Sequence, residues 1–362
     1  MKKLLYSILI VLLAVLVFFP EFISNSVPII SKCDGRLKFT AFDNKACGEA
    51  IINPIFKFSA QQIDLSNAGY KEPSISNGHL LGTDELGRDT LAGLIYGFSG
   101  SMKIGIGATL IALILGLFLA IPSGYSYEEK VRVNLLEFIL KTILLLTFFW
   151  YAYLMLLIES TWNLIYGIIV LCFTWMFLNK TIGKWGSRFS LKLSLDIWLL
   201  RFADAYELLP KLMVLLVFFA FFKWNVIALM VLLGIIAWPF FYRNIRLQVI
   251  RIKALPYIES AKIYNIPKYR IWFSYIMPSL IPLIISLVPF MFIAAVMSES
   301  ALGFIGLGLG PEDITLGKMI AEGRNFPQAW WILWFPIICL SISMFLIAWW
   351  GKRWAKKWQI NK

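Results

Sequence analysis

Apolar residues along this chain gather in blocks of about 15–25, the length at which a helix crosses a hydrocarbon core of about 30 Å. The blocks fall near residues 4–20, 104–125, 135–158, 163–178, 203–222, 226–242, 276–297 and 329–350. This pattern predicts an all-α membrane protein, a polytopic bundle of about eight transmembrane helices with both termini on one side. The first block follows Lys2 and Lys3, as a signal peptide core would. The bulky Phe18-Phe19-Pro20-Glu21 replaces a small-residue cleavage site, so the block reads as a span.

The polar connections differ in kind. Residues 21–103 are rich in turn formers such as Asn53-Pro54, Glu72-Pro73 and Asn77-Gly78 and predict a small cap or a segment lying along the membrane surface. Residues 126–192 carry two apolar blocks around Glu159-Ser160-Thr161-Trp162-Asn163, a turn without Lys or Arg between basic flanks. The second of those blocks is short enough for a tilted or partly re-entrant pass. Residues 243–275 are too polar to cross, yet strongly punctuated. Pro256 suits the first turn of a helix, where its missing N–H is not needed. Asn265 tolerates the left-handed conformation that ends a helix, and Pro267 opens a second helix towards Met277-Pro278. The segment therefore predicts a short amphipathic helix, a hinge and a helix leading into the next span.

Composition sharpens this reading. The 362 residues are 59% hydrophobic and 15% charged, where a soluble domain has about a quarter charged. The net charge of +13 does not mark a nucleic-acid binder, because it is concentrated in short connections. Placing the N-terminus inside puts 21 of the 34 Lys and Arg in the cytoplasm, including the Lys180–Arg201 and Arg243–Arg270 groups and the C-terminal cluster. Short outer loops then hold only Lys223, Lys318 and Arg324. Cys172 and Cys339 lie in apolar blocks as packed thiols, whereas Cys33 and Cys47 share the long outer segment. In an oxidising compartment a Cys33–Cys47 disulfide would close a loop of about 15 residues and add about 3 kcal/mol. One histidine, His79, excludes a multi-histidine metal site, and no phosphate-cradling Gly-x-x-x-x-Gly-Lys-Ser/Thr loop occurs.

Two motifs carry a family resemblance. Glu259-Ser260-Ala261, three residues, Asn265, nine residues and Tyr275-Ile276-Met277-Pro278 resembles the EAA motif of permease subunits in binding-protein-dependent ABC importers. Ser260 stands for Ala and Asn265 for Gly, both mild departures. His79-Leu80-Leu81-Gly82-Thr83-Asp84-Glu85-Leu86-Gly87-Arg88-Asp89 resembles the signature of the C-type permease of the dipeptide, oligopeptide and nickel branch. Its Thr83 predicts an N-cap, with Asp84 and Glu85 at the positive end of the helix begun there and Arg88 and Asp89 pairing locally or bracing the outer loop. Asp196 to Pro210, Ser298 to Gly308, and Leu316-Gly317-Lys318-Met319 with Glu322-Gly323 are similar to further family segments, and Pro28-Ile29-Ile30 with Asp34-Gly35 is reminiscent of microcin-type oligopeptide permeases.

The resemblance implies a type I importer permease fold of about six spans plus an inserted hairpin. The organisation expected is a first helix to residue 20, an extracytoplasmic loop 21–103, a span 104–125, an inserted hairpin 126–192, a permease core 193–350 containing a coupling segment 254–278, and a basic tail 351–362. Glu259, Ser260, Ala261, Tyr264, Asn265 and Pro267 would couple to an ATPase. Gly82, Thr83, Asp84, Gly87, Arg88 and Asp89 would be structural, and Ser298, Glu299 and Ser300 would border the solute path or brace the Gly-rich stretch that follows. The partners implied are a second homologous permease, two ATPase subunits that bind ATP and Mg, an extracytoplasmic substrate-binding protein, and membrane lipid. This chain itself would need no cofactor, no metal and no nucleic acid, and would not be an enzyme. The expected location is the bacterial cytoplasmic membrane, with peptides or peptide-like solutes as cargo. Nickel or a metal chelate is the alternative cargo, and a secondary transporter the alternative class.

Overall fold

The computed structural model describes residues 15–33, 36–41, 49–65, 69–74, 78–127, 131–134, 190–193, 195–221, 225–307, 309–310 and 313–360. The chain divides into two compact units, Met1–Ile121 with Glu207–Lys362, and Pro122–Tyr206. In chain order the strands are β1 (Ile30–Cys33), β2 (Arg36–Phe39), β3 (Glu49–Ile52), β4 (Val131–Asn134) and β5 (Ser190–Leu193). The helices are α1 (Thr90–Tyr125), α2 (Leu195–Glu207), α3 (Lys211–Phe221), α4 (Val226–Lys253), α5 (Pro256–Ile263), α6 (Lys268–Ile271), α7 (Met277–Ile305), α8 (Leu316–Asn325) and α9 (Trp330–Ile360). Among the described residues, α1, α4, the run Lys268–Ile305 and Trp330–Trp354 are long and apolar enough to cross a membrane.

In the larger unit, small residues set the packing. A Cβ on Gly107 would lie 2.5 Å from Met230 Sδ, and one on Gly116 2.5 Å from Phe241 Cβ, so α1 and α4 run parallel with backbones close. Ser101 bonds Glu299 whereas Gly105, further along α1, faces the earlier residues Phe292 and Val296, which makes α1 and α7 antiparallel. The bundle thus has two ends, one where α1 begins at Thr90 and one where α4 finishes at Lys253. Val17 packs beside Phe98, Met102, Leu340 and Met344 in a buried cluster, which fixes the start of the described chain against α1 and α9.

Local signals explain the helix ends. Asn225 Oδ1 accepts a hydrogen bond from Ala228 N (2.7 Å) and caps α4, whose last turn carries Arg251 and Lys253 at the negative end of the helix dipole. Just before α7, a wide π turn, Trp272–Ile276, precedes Pro278, which lacks the N–H of a regular turn. Gly306 ends α7 in the left-handed region (φ 88°), with Leu307 N donating to Leu302 O (3.0 Å).

Several expectations need correction. The span expected at 203–222 is broken into α2 and α3 at Leu208–Pro210, because Pro210 cannot donate and disfavours helix in the residue before it. α1 starts at Thr90 rather than near residue 104, the seventh span starts before 276 and continues to Ile305, and α9 runs on through the basic tail. Lys and Arg are good helix formers, so a charged tail need not end a helix. The polar segment is not purely irregular either. Arg36–Phe39 alternates polar and apolar positions, and it and Glu49–Ile52 flank Ile30–Cys33 in an antiparallel sheet of order β2-β1-β3, with Ile30 opposite Phe39 and Ile52. Cys47 and the side chain of Cys33 lie outside the described residues, so the expected disulfide does too.

In the smaller unit, Ser123 Oγ donates to Asp196 Oδ1 (2.7 Å), joining the last turn of α1 to the first of α2. β4 and β5 pair antiparallel from Val131 with Leu193 to Asn134 with Ser190, an element the sequence reading did not foresee. The pairing brings the two ends of the insertion together. The apolar blocks of the expected hairpin, within 135–189, lie outside the described residues.

Candidate functional site

At the Lys253 end, α4 passes through Leu255 directly into α5, with Pro256 in its first turn. Ile258 (0% exposed) and Ala261 form the buried face of α5. The opposite face presents Glu259 and Ser260, and the helix ends on Ile263 (78% exposed) and Tyr264 (81% exposed). Asn265 takes φ 55°, in the left-handed region. Ile266 N donates to Ala261 O (3.1 Å) and Asn265 N to Lys262 O (3.0 Å), which closes the helix with the bond pair that usually has glycine at this position. Pro267 is the N-cap of α6. Tyr257 Oη lies 3.4 Å from Ser279 Oγ, and the Tyr257 and Tyr275 rings are 6.4 Å apart, so α5 leans on the start of α7. Glu259, Ser260, Ala261, Tyr264, Asn265 and Pro267 therefore belong to one projecting helix–hinge–helix. Tyr269 and Phe273 extend its exposed apolar surface.

At the Thr90 end, the His79–Asp89 loop folds differently from the expectation. Thr83 caps no helix. Gly82 and Gly87 both have φ 80°, and Asp84 Oδ1 accepts from Leu86 N (2.9 Å) and Arg88 N (2.8 Å), a local turn that competes with helix. The cap of α1 is Asp89, whose Oδ2 accepts from Ala92 N (2.8 Å). Arg88 and Asp89 do not pair with each other. Arg88 Nε bonds Asp84 Oδ2 (2.6 Å), and its Nη2 reaches Glu322 on α8 at 4.0 Å. Asp89 Oδ1 instead meets His79 Nδ1 (2.9 Å), and His79 Nε2 lies 3.5 Å from Asp64. Trp331 Nε1 donates to Thr83 O (3.2 Å), tying the loop to α9. Burial pushes the Glu322 carboxyl above the usual range while Arg88 pulls it back, and burial lowers the Lys318 ammonium. The loop is a clamp between α1, α8 and α9, and sequence reasoning missed its buried histidine.

Ser298, Glu299 and Ser300 sit where α7 meets α1 and α8. Glu299 is 3% exposed, and its Oε2 accepts from Ser101 Oγ (2.8 Å) and Ser300 Oγ (3.2 Å). Ser101 Oγ in turn accepts from Leu316 N (3.1 Å), so the carboxylate braces three helices. Ser298 bonds back to Ala294 O within its own helix. Close by, Gly317 allows α8 to touch α7, since a Cβ there would lie 2.6 Å from Ser300 Cα.

A cavity of about 400 Å³ opens at the Thr90 end between the polar segment, α1 and residues 309–315. Glu21, Tyr96, Lys103 and Asp313 stand on its walls. The sequence signal for Lys103 was a lone cation just before an apolar run, which counts for little without knowledge of what folds over it.

The family described as binding-protein-dependent transport system inner membrane component matches residues 181–359. The chain is 22% identical over 286 residues to the peptidoglycan transport system permease protein YejE of Agrobacterium fabrum, covering 78% of this chain and 58% of that relative. It is 23% identical over 269 residues to the di/tripeptide transport system permease protein DppC of Pseudomonas aeruginosa, covering 74% and 67%. It is 24% identical over 275 residues to the oligopeptide transport system permease protein OppC of Lactococcus lactis subsp. lactis, covering 76% and 71%. The chain thus spans less than two thirds of the length of the first of these relatives.

Proposed function

We infer that the chain is a member of the family of binding-protein-dependent transport system inner membrane components, whose pattern matches residues 181–359. It is a multi-pass inner membrane protein. We propose that it is one permease half of an ATP-driven importer for peptides or peptide-like solutes. A second permease half, two ATPase subunits carrying ATP and Mg, and an extracytoplasmic binding protein complete the machine. Both termini and the α5 end face the cytoplasm, as the clustering of Lys and Arg requires.

The observation that carries this reading is the projecting α5 with its Asn265 hinge. It continues from α4 through Leu255, and Tyr257 rests on Tyr275 and Ser279 at the start of α7, so a push on α5 is delivered to two long helices at once. The exposed Tyr257, Ile263 and Tyr264 give an ATPase subunit an apolar surface to grip, and Glu259 adds a charge beside it. Two packings of the long helices, biased by the nucleotide state of the partner, then alternate access to the solute. Of the trio at the α7–α8 contact, Glu299 serves as a brace, and Ser298 is left as the residue that can border the path between permease halves.

Peptide cargo is favoured over nickel because the relatives are named for peptides, di/tripeptides and oligopeptides. Reconstituting the assembled complex in proteoliposomes tests the reading. Labelled tripeptide should accumulate only with ATP inside the ATPase-facing compartment and with the binding protein present. Uptake that persists without ATP would identify a secondary transporter instead.

A further inference from the structure

The cavity at the Thr90 end holds two opposite charges that do not satisfy one another. Glu21 lies on the turn Pro20–Phe22, and its Oε2 is buried without a hydrogen-bond partner. Lys103, half-buried on α1, makes no ion pair or hydrogen bond among the described residues. Both line the same cavity of about 400 Å³. Asp313, the third charge on the wall, is occupied differently, since Lys318 lies in its field and donates to its main-chain oxygen (3.3 Å).

An ionisable side chain within a membrane-length helix faces a cavity or a partner, and an uncompensated buried charge is costly. One ligand relieves both groups if it carries an ammonium and a carboxylate that are separated rather than adjacent. The volume lies at the small end of ligand pockets, which run from about 300 to 1,000 Å³. An extended peptide advances about 3.3–3.6 Å per residue, so two or three residues suit this space and a long peptide does not.

We propose that this cavity receives the zwitterionic ends of short peptides, with Glu21 taking the α-ammonium and Lys103 the α-carboxylate. Tyr96, Leu309 and Ile314 supply the walls between them. The inference rests on the chain being a peptide permease, and it adds to that reading a site on the permease itself, at the face opposite the ATPase contact.

The test is equilibrium dialysis of radiolabelled trialanine against the assembled transporter without its soluble binding protein. The free peptide should bind saturably, and N-acetylated or C-amidated trialanine about tenfold more weakly, a loss of about 1.4 kcal/mol. Lys103→Met should bind free and amidated peptide alike, and should still bind the amidated form as the wild type does, which shows that the cavity is intact. Glu21→Gln should erase only the discrimination against the acetylated form. Lys103→Arg, which keeps the charge, should restore the carboxylate preference. Unchanged discrimination in both variants overturns the proposal. So does absence of saturable binding in a complex that imports peptide once the binding protein is added. A complex that imports no peptide even then overturns the permease reading, and this site with it.

Discussion

At Asn265 the backbone demands φ 55°, a region that costs most side-chain-bearing residues about 1–2 kcal/mol. Asn meets the demand because its short polar side chain is tolerated there. Asn265→Gly should therefore leave the stability of the assembled complex unchanged or slightly raised, whereas Asn265→Val should lower it by about 1–3 kcal/mol, read from thermal melts. Equal melts for the two variants would show that the turn is not constrained. This hinge was legible in the sequence because Pro256, Asn265 and Pro267 act through their own backbones. The cap of α1 was not. Thr83 and Asp89 are both good caps, and the choice is made by left-handed Gly82 and Gly87 and by the buried His79, none of which a local rule weighs. Glu299 stood out in the sequence as a charge in a span, but its partner Ser101 lies 198 positions away, and distance in sequence hides a brace.

Among the elements, helix existence followed from apolar blocks, while helix ends and breaks followed from single residues. Pro210 divides a block that hydropathy reads as one span, and the Lys- and Arg-bearing tail stays helical beyond the apolar block. The meeting of α7 and α8 depends on Gly317, where any side chain collides with the Ser300 backbone. Gly317→Val should cost about 1–3 kcal/mol or prevent assembly, seen as loss of the complex in detergent-phase chromatography. Normal assembly with an unshifted melt would contradict the close crossing. The β4–β5 pair brings both ends of the insertion to one place. With Cys33 and Cys47 first replaced, Ser160→Cys should react with an impermeant thiol reagent from the outer face. Reaction only from the cytoplasmic face would remove the added hairpin from the topology.

Across the whole molecule, the two functional ends are built from opposite sides of the same long helices. The His79–Asp89 clamp ties α1 to α8 and α9 at one end, and α5 hangs from α4 and leans on α7 at the other. A bundle whose helices touch through glycine and in which the buried Glu299 carboxylate joins three of them moves in large pieces rather than by local bending. A push at α5 is thus expected to reach the cavity end without a dedicated relay. The central claim is that α5 transmits the work of ATP hydrolysis. It is tested most directly by measuring, in one proteoliposome preparation, the ratio of peptide imported to ATP hydrolysed for the wild type, Glu259→Lys and Ala261→Asp. The account predicts that both variants insert and assemble, that hydrolysis continues or falls modestly, and that the ratio drops at least about tenfold, a coupling loss of about 1.4 kcal/mol or more. A wild-type ratio in both variants would contradict it.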